Sequence, residues 1–203
     1  MATLAAVNQL GESVAAMLRA RRDLLAASGQ LGALPAAFDI SHLSASKVGA
    51  APPTAGVSIT CYQIAPSEHQ RSKSSAINPA DAASISVELY YLAAAWSASP
   101  AEEQAMVAWM MLELARQPVL DRSVLLGAGV WERDEIVQIL PQALPPEQVF
   151  RVWDALGQRY HLSFTFLARV LRISYPPGPQ WPPVVATRLG LADTDPLAQE
   201  EPA

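Results

Sequence analysis

Apolar residues recur at three- and four-residue steps in the first part of the chain, over about residues 3–27. This spacing predicts an amphipathic helix, and Ser28-Gly29 is a typical helix end. A second helix has clearer boundaries, because Ser99 suits the N-cap position and Pro100 the first helical position. Glu102 would complete a capping box with Ser99, and Pro118 would end the helix.

A third, shorter helix is predicted from Pro145-Pro146-Glu147 through Leu156, with Gly157 as its C-terminal cap. Strands are indicated by apolar residues at every second position. The clearest alternation covers residues 57–64 and 84–96, and weaker examples are residues 37–41, 135–140 and 161–174. The two clear strands are expected to pair antiparallel across a polar segment that runs from Pro66 to Pro79.

Two segments carry no regular pattern. Residues 44–56 are rich in Ser, Ala and Gly and are interpreted as a flexible connector. Residues 175–203 begin with prolines at 176, 177, 179, 182 and 183, which remove backbone donors and favour an extended chain. The sequence therefore predicts an α+β domain over residues 1–174, with a mixed, largely antiparallel sheet flanked by helices, and an extended Pro-rich tail over residues 175–203.

Composition narrows the function classes. Of the 203 residues 51% are hydrophobic and 16% are charged, and the net charge is −5. An acidic chain lacks the basic footprint of a nucleic-acid-binding protein. One cysteine excludes a disulfide scaffold and fits a reducing compartment such as the cytoplasm. We expect neither a secretory signal nor membrane insertion, since the arginines follow the first apolar run and no run is long enough to span a bilayer.

The polar residues form no convincing catalytic or metal constellation. Cys61 lies in mid-strand, where a buried small hydrophobe is the simpler interpretation. Glu68 and His69 are neighbours in a polar loop, and Asp134 and Glu135 would point to opposite faces of a strand. The three histidines are too scattered to predict a metal site. We expect no enzyme activity, no cofactor and no metal.

The order of several segments resembles a bacterial family. The run VSITCYQI at 57–64 is followed by SVELYYLAAAW at 86–96, by a helix that ends at Pro118, and by WDALGQRY at 153–160 before the last strand. This series is similar to the cap, or tail-terminator, proteins of phage-tail-like extracellular contractile injection systems. The resemblance covers roughly residues 4–174, and residues 57–174 carry most of it.

The resemblance implies a structural role. Such proteins form a ring, typically a hexamer, that closes the inner tube and the contractile sheath at the end distal to the baseplate. The implied partners are further copies of the chain, the inner-tube protein and the sheath protein. The protein would assemble in the bacterial cytoplasm and become part of the particle. Strand edges and the extended tail would be suitable contacts for such a ring.

Candidate interaction residues come from the two polar or extended segments. The loop 66–76 is longer than a hairpin turn requires. Exposure of the Trp181 side chain in the tail is unfavourable unless the ring packs against another surface. The candidates are Glu68, His69, Arg71, Lys73, Trp181, Leu189 and Leu191. Three alternatives stay open: another tail-completion or connector component, a small enzyme that uses His69 or Glu68, and an adaptor that binds through its Pro-rich tail.

Overall fold

A computed structural model describes residues 2–51, 53–67 and 84–174. The elements are α1 (Ala6–Ala27), β1 (Asp39–His42), α2 (Ala45–Ala50), β2 (Gly56–Pro66), β3 (Ser84–Trp96), α3 (Pro100–Arg116), β4 (Val119–Leu120), β5 (Val137–Gln142), α4 (Pro146–Ala155) and β6 (Ser163–Ser174). The six strands form one sheet in the order β1-β2-β3-β6-β5-β4. Only the β1–β2 pair is parallel among these pairings. The predicted α+β class and the largely antiparallel sheet are confirmed.

The long helix α1 and the helix α3 cover one face of the sheet. Their apolar stripes meet the alternating apolar residues of β2, β3 and β6, as the three- and four-residue spacing requires. Tyr91 of β3 lies at the centre of this first core and stacks on Phe166 of β6 with ring centroids 5.1 Å apart. The helix residues of this core are Ala6, Leu10, Val14, Ala15, Leu18, Met106, Trp109, Met110 and Leu114.

The opposite face of the sheet has a second, smaller core. Leu92, Ala94 and Trp96 of β3 pack there with Val48 of α2 and with Trp153 of α4. The polar residues Ser86 and Glu88 in the first part of β3 are also buried. The central strand is therefore covered on both faces, as in a sheet with helices on either side.

Three local features differ from the predictions. The connector 44–56 contains the helix α2, whose N-cap Ser44 accepts a hydrogen bond from the backbone of Lys47. The loop after Pro118 contains the short strand β4. Ser99 occupies the N-cap position of α3 but makes no capping bond with its side chain, and Glu102 accepts a hydrogen bond from Ser97 instead.

Bulges change which residues face the first core. The β2–β3 register shifts between Cys61 and Gln63, and the β3–β6 register shifts between Val87 and Leu89. The shifted register pairs Leu171 with Val87, and Leu171 is fully buried on the core side although simple alternation from Ala168 would turn it away. A bulge inserts one residue and so exchanges the two faces of a strand.

Candidate interaction surfaces

The interaction residues proposed from the sequence lie outside the described residues. They are Glu68, His69, Arg71 and Lys73 in the loop, and Trp181, Leu189 and Leu191 in the tail. Their positions in the chain nevertheless relate them to described elements. The loop connects the ends of β2 and β3, and the tail follows the end of β6. Because β2 and β6 are the two neighbours of β3 and both run antiparallel to it, the loop and the tail leave the sheet at the same end.

Hydrogen bonds join β2 and β3 up to the start of the loop. The Ser67 backbone N–H donates to the carbonyl of Ser86 at 2.8 Å, so the pairing continues past Pro66. The buried carboxylate of Glu88 accepts hydrogen bonds from the Ser67 hydroxyl at 3.2 Å and from the Tyr90 hydroxyl at 3.1 Å. Buried carboxylates require such donors, because burial without them is costly. Glu88 therefore fixes the base of the loop.

The same end of the sheet presents apolar side chains to solvent. Ile64 of β2 and Ile85 of β3 are both exposed, whereas residues 56–60 of β2 and 86–89 of β3 are buried. Ile85 pairs with Ile173 of β6, which is only partly buried. Exposed apolar residues at a single end of a sheet are suitable for a protein contact. This end, from Ile64 to Ile173, is called the loop end below.

The outer edge of β1 is covered by the helix α1. Arg22 donates through Nη1 to the carbonyl of Phe38 at 2.5 Å, and Arg19 donates through Nε to the carbonyl of Ile40 at 2.8 Å. These carbonyls are the groups that an added strand would use. The sequence pattern did not predict this role, although both arginines lie on the same helix, three residues apart.

The outer edge of β5 lacks a donor for an added strand. The strand β4 pairs only with Val137 and Gln138, and the next outward N–H, that of Ile139, donates to the Pro118 carbonyl at 2.8 Å. The next residue whose backbone nitrogen faces outward from the sheet is Pro141, which has no N–H. The outward backbone groups of β1, and those of β5 beyond its pairing with β4, are thus partly blocked. The expectation that open strand edges serve as contacts is not supported at these two strands.

The reactive side chains that the structure describes are held in packing roles. Partial burial raises the pKa of the Cys61 thiol above its ordinary value, which opposes formation of a thiolate. His161 lies against the rings of Trp96 and Trp153, at 4.3 Å and 5.5 Å between centroids. His42 contacts Glu12, with 3.2 Å between Nδ1 and Oε1. Each of these groups contacts neighbouring side chains of the fold.

Within residues 2–51, 53–67 and 84–174, no group of three or more His, Cys, Asp or Glu side chains is arranged to hold a metal ion. Asp134 and Glu135 line a shallow depression together with Arg122 and Arg133. Partial burial raises the pKa of the Glu135 carboxyl, and the neighbouring Glu132 raises it further. Among the described helices, none is long and apolar enough to cross a membrane.

The chain matches a family model described as the Pvc16 N-terminal domain over residues 11–187. This match covers most of the chain. The chain belongs to the Pvc16 N-terminal domain family. The family resemblance inferred from the order of strand and helix segments is thereby confirmed. No curated protein sequence matches the chain significantly.

The chain is similar to two solved structures. The first is the PVC sheath/tube terminator of an extracellular contractile injection system in its extended state, with 20% sequence identity and a TM-score of 0.48. The match covers 91% of this chain and 64% of that chain. The second is the anti-feeding prophage cap, a tube terminating cap, with 18% identity and a TM-score of 0.46, and covers 79% of this chain and 57% of that one. The chain thus spans less than two thirds of either protein.

Proposed function

We propose that this protein is a structural cap that closes the inner tube and the contractile sheath of a bacterial contractile injection system at the end distal to the baseplate. Membership of the Pvc16 N-terminal domain family over residues 11–187 carries this proposal. The side chains support it, because Cys61, His42 and His161 are engaged in packing or pairing. A cap needs broad protein contacts and no reacting group, so the proposed role is not enzymatic.

The proposed assembly is a ring of identical subunits, a hexamer, which would form in the cytoplasm and remain in the particle. Its partners are the inner-tube protein and the sheath protein, with no role for nucleic acid or membrane insertion. The blocked edges of β1 and β5 favour a ring joined by loops, the tail and surface side chains. Added strands would have to displace Arg19 and Arg22 at one edge and would find no donor at Pro141 on the other.

The loop end supplies the contact to a neighbouring subunit or to the tube rim. Glu68, His69, Arg71 and Lys73 would extend from strands that Glu88 fixes and that the exposed Ile64 and Ile85 flank. A fixed base lowers the entropy lost when a loop binds. We also propose that the domain ends at residue 174 and that the tail beyond it makes contacts. Trp181 would anchor the tail on the same subunit, on an adjacent cap subunit or on the sheath. Leu189 and Leu191 would provide a second, weaker contact.

Electron microscopy of particles from a strain that lacks this protein tests the capping role. We expect particles without the terminal density and with a broad distribution of lengths, and we expect the full-length chain supplied in trans to restore both features. Particles of normal length with an unchanged terminal density would exclude the role. A changed baseplate end with a normal distal end would indicate a different component of the tail.

Mass photometry tests the ring independently of the particle. The purified chain is measured alone and together with inner-tube protein, so that a ring templated by the tube end is also detected. A species of six subunits in either sample is the expected result. A chain that remains monomeric in both samples at high concentration would contradict self-assembly.

A further inference from the structure

A groove lies between α1 and the segment that follows α3. It has a volume of ≈320 Å³, and mainly apolar side chains line it. Leu24 on one side is 61% exposed and Leu126 on the other is 43% exposed, so two large apolar side chains border it without being covered. The wall from α1 consists of Ala16, Met17, Ala20, Arg21 and Leu24. Water on this surface would be released if an apolar segment bound here.

The charges beside the groove are positive on balance. Glu113 of α3 is buried, and its two carboxylate oxygens lie 3.6 Å from Arg21 Nε and 3.5 Å from Arg116 Nη1. One carboxylate therefore faces two guanidinium groups. Arg21 also lines the groove and is 37% exposed, so part of its guanidinium remains available to an acidic ligand. The groove should select a segment that is both apolar and acidic.

The end of this chain has that chemistry. Residues 189–203 read LGLADTDPLAQEEPA and contain three leucines and four carboxylates but no lysine or arginine. We propose that the groove between α1 and the segment after α3 binds this segment of the same chain, with Leu189 and Leu191 against the apolar wall and the carboxylates near Arg21 and Arg116. The proposal is independent of the capping role.

The length of the tail allows this contact within one subunit. The tail leaves β6 at Ser174, beside Ala2, whose backbone N–H donates to the Arg172 carbonyl at 2.8 Å. From the start of α1 at Ala6, Ala20 in the groove is about 21 Å away along the helix axis. Leu189 is fifteen residues beyond Ser174 and can reach about 46 Å in an extended, polyproline-like chain. A tether of this length gives the tail a millimolar effective concentration, so even weak binding would fill the groove.

Disulfide trapping in the full-length chain tests the contact. In a Cys61→Ser background, Ala192→Cys is combined with Ala20→Cys, which is exposed and lines the groove. The matched control combines Ala192→Cys with Ala26→Cys, an exposed alanine on the same helix about 240° around from Ala20. Circular dichroism verifies that both variants are folded. Leu24→Cys serves as a second groove position if Ala20→Cys impairs folding.

We expect the intramolecular disulfide to form at least tenfold faster at the groove position than at the control position. Adding Leu189→Ser and Leu191→Ser should abolish that difference, because the core of the domain is untouched and only the apolar hold is removed. The proposal would be overturned if the rate at the groove position were no more than threefold that at the control position. It would also be overturned if the two serine substitutions left this ratio unchanged, or if the disulfides formed mainly between chains.

Discussion

Trp153 should be the most sensitive position of the second core. Its side chain is 1% exposed, its ring meets that of Trp96 edge to face at 5.9 Å between centroids, and its indole N–H donates to the Ser163 hydroxyl at 3.0 Å. Trp153→Ala removes these contacts and opens a cavity beneath α4. Truncation of a buried aromatic residue costs about 3–5 kcal/mol of unfolding free energy. For a domain of this size that corresponds to a fall in Tm of about 6–20 °C.

A matched control lies on the same helix. Phe150 is 49% exposed and contacts only the exposed Tyr160 ring in an edge-to-face pair, at 5.2 Å between centroids, among the described ring contacts. Phe150→Ala should cost about 1 kcal/mol, the typical value of such an aromatic pair. Trp153→Phe keeps a ring in the core but loses the N–H donor to Ser163. It should fall between the two, at about 1–2 kcal/mol.

Urea unfolding of the three variants, followed by circular dichroism, measures these differences without relying on tryptophan emission. Equal slopes of the transitions would indicate that the compared states are unchanged. A loss below about 1 kcal/mol for Trp153→Ala, or a loss as large for Phe150→Ala, would refute the argument that α4 is held to the sheet by the buried Trp153.

The remaining predictions concern the backbone, the thiol and the two proposed contacts. Gly56→Ala should strongly destabilise the folded protein, because φ is +122° and a Cβ would lie 2.3 Å from the Asp39 carbonyl oxygen. Thermal unfolding should show a lower Tm, and an unchanged Tm would contradict this prediction. Because burial raises the pKa of Cys61, iodoacetamide should alkylate the folded protein at pH 8 more slowly than the urea-unfolded protein, and equal rates would exclude this shift. Replacing the loop 66–76 with an Asn-Gly turn should leave the monomer folded and reduce ring formation, as measured by mass photometry. Normal rings and capped particles would contradict the loop contact. If the tail anchor is intermolecular, deleting residues 176–203 should leave Tm nearly unchanged but weaken ring or sheath association. An unchanged Tm together with unchanged assembly would contradict the tail-anchor hypothesis.

The proposed ring, joined through loops and a tail, is consistent with the blocked outward groups of β1 and β5. Arg19 and Arg22 bind carbonyls at the β1 edge, and Pro141 leaves the β5 edge without a donor. Natural sheets block their edges to prevent uncontrolled pairing between chains. A subunit that must stop a growing polymer has a physical reason to limit such pairing, because an open edge would accept further strands.

Local patterns in the sequence determined the helices and strands. The boundaries of β3 and the end of α1 were predicted to the residue, and α3, α4 and β6 to within a few residues, because periodicity, proline and glycine act through the nearest neighbours. The order of these segments also led to the correct family. The short helix α2 was missed, since six residues carry too little periodicity to be recognised.

Tertiary structure alone decided what lies on each face and at each edge. Two bulges exchange the faces of β2 and β6, so that Leu171 enters the core, and no local pattern marks where an extra residue will be inserted. The burial of Ser86 and Glu88, the arginine contacts at β1 and the groove between α1 and the segment after α3 all join segments far apart in the chain. Such contacts depend on how the helices pack on the sheet, which is a property of the assembled layers and not of any single segment.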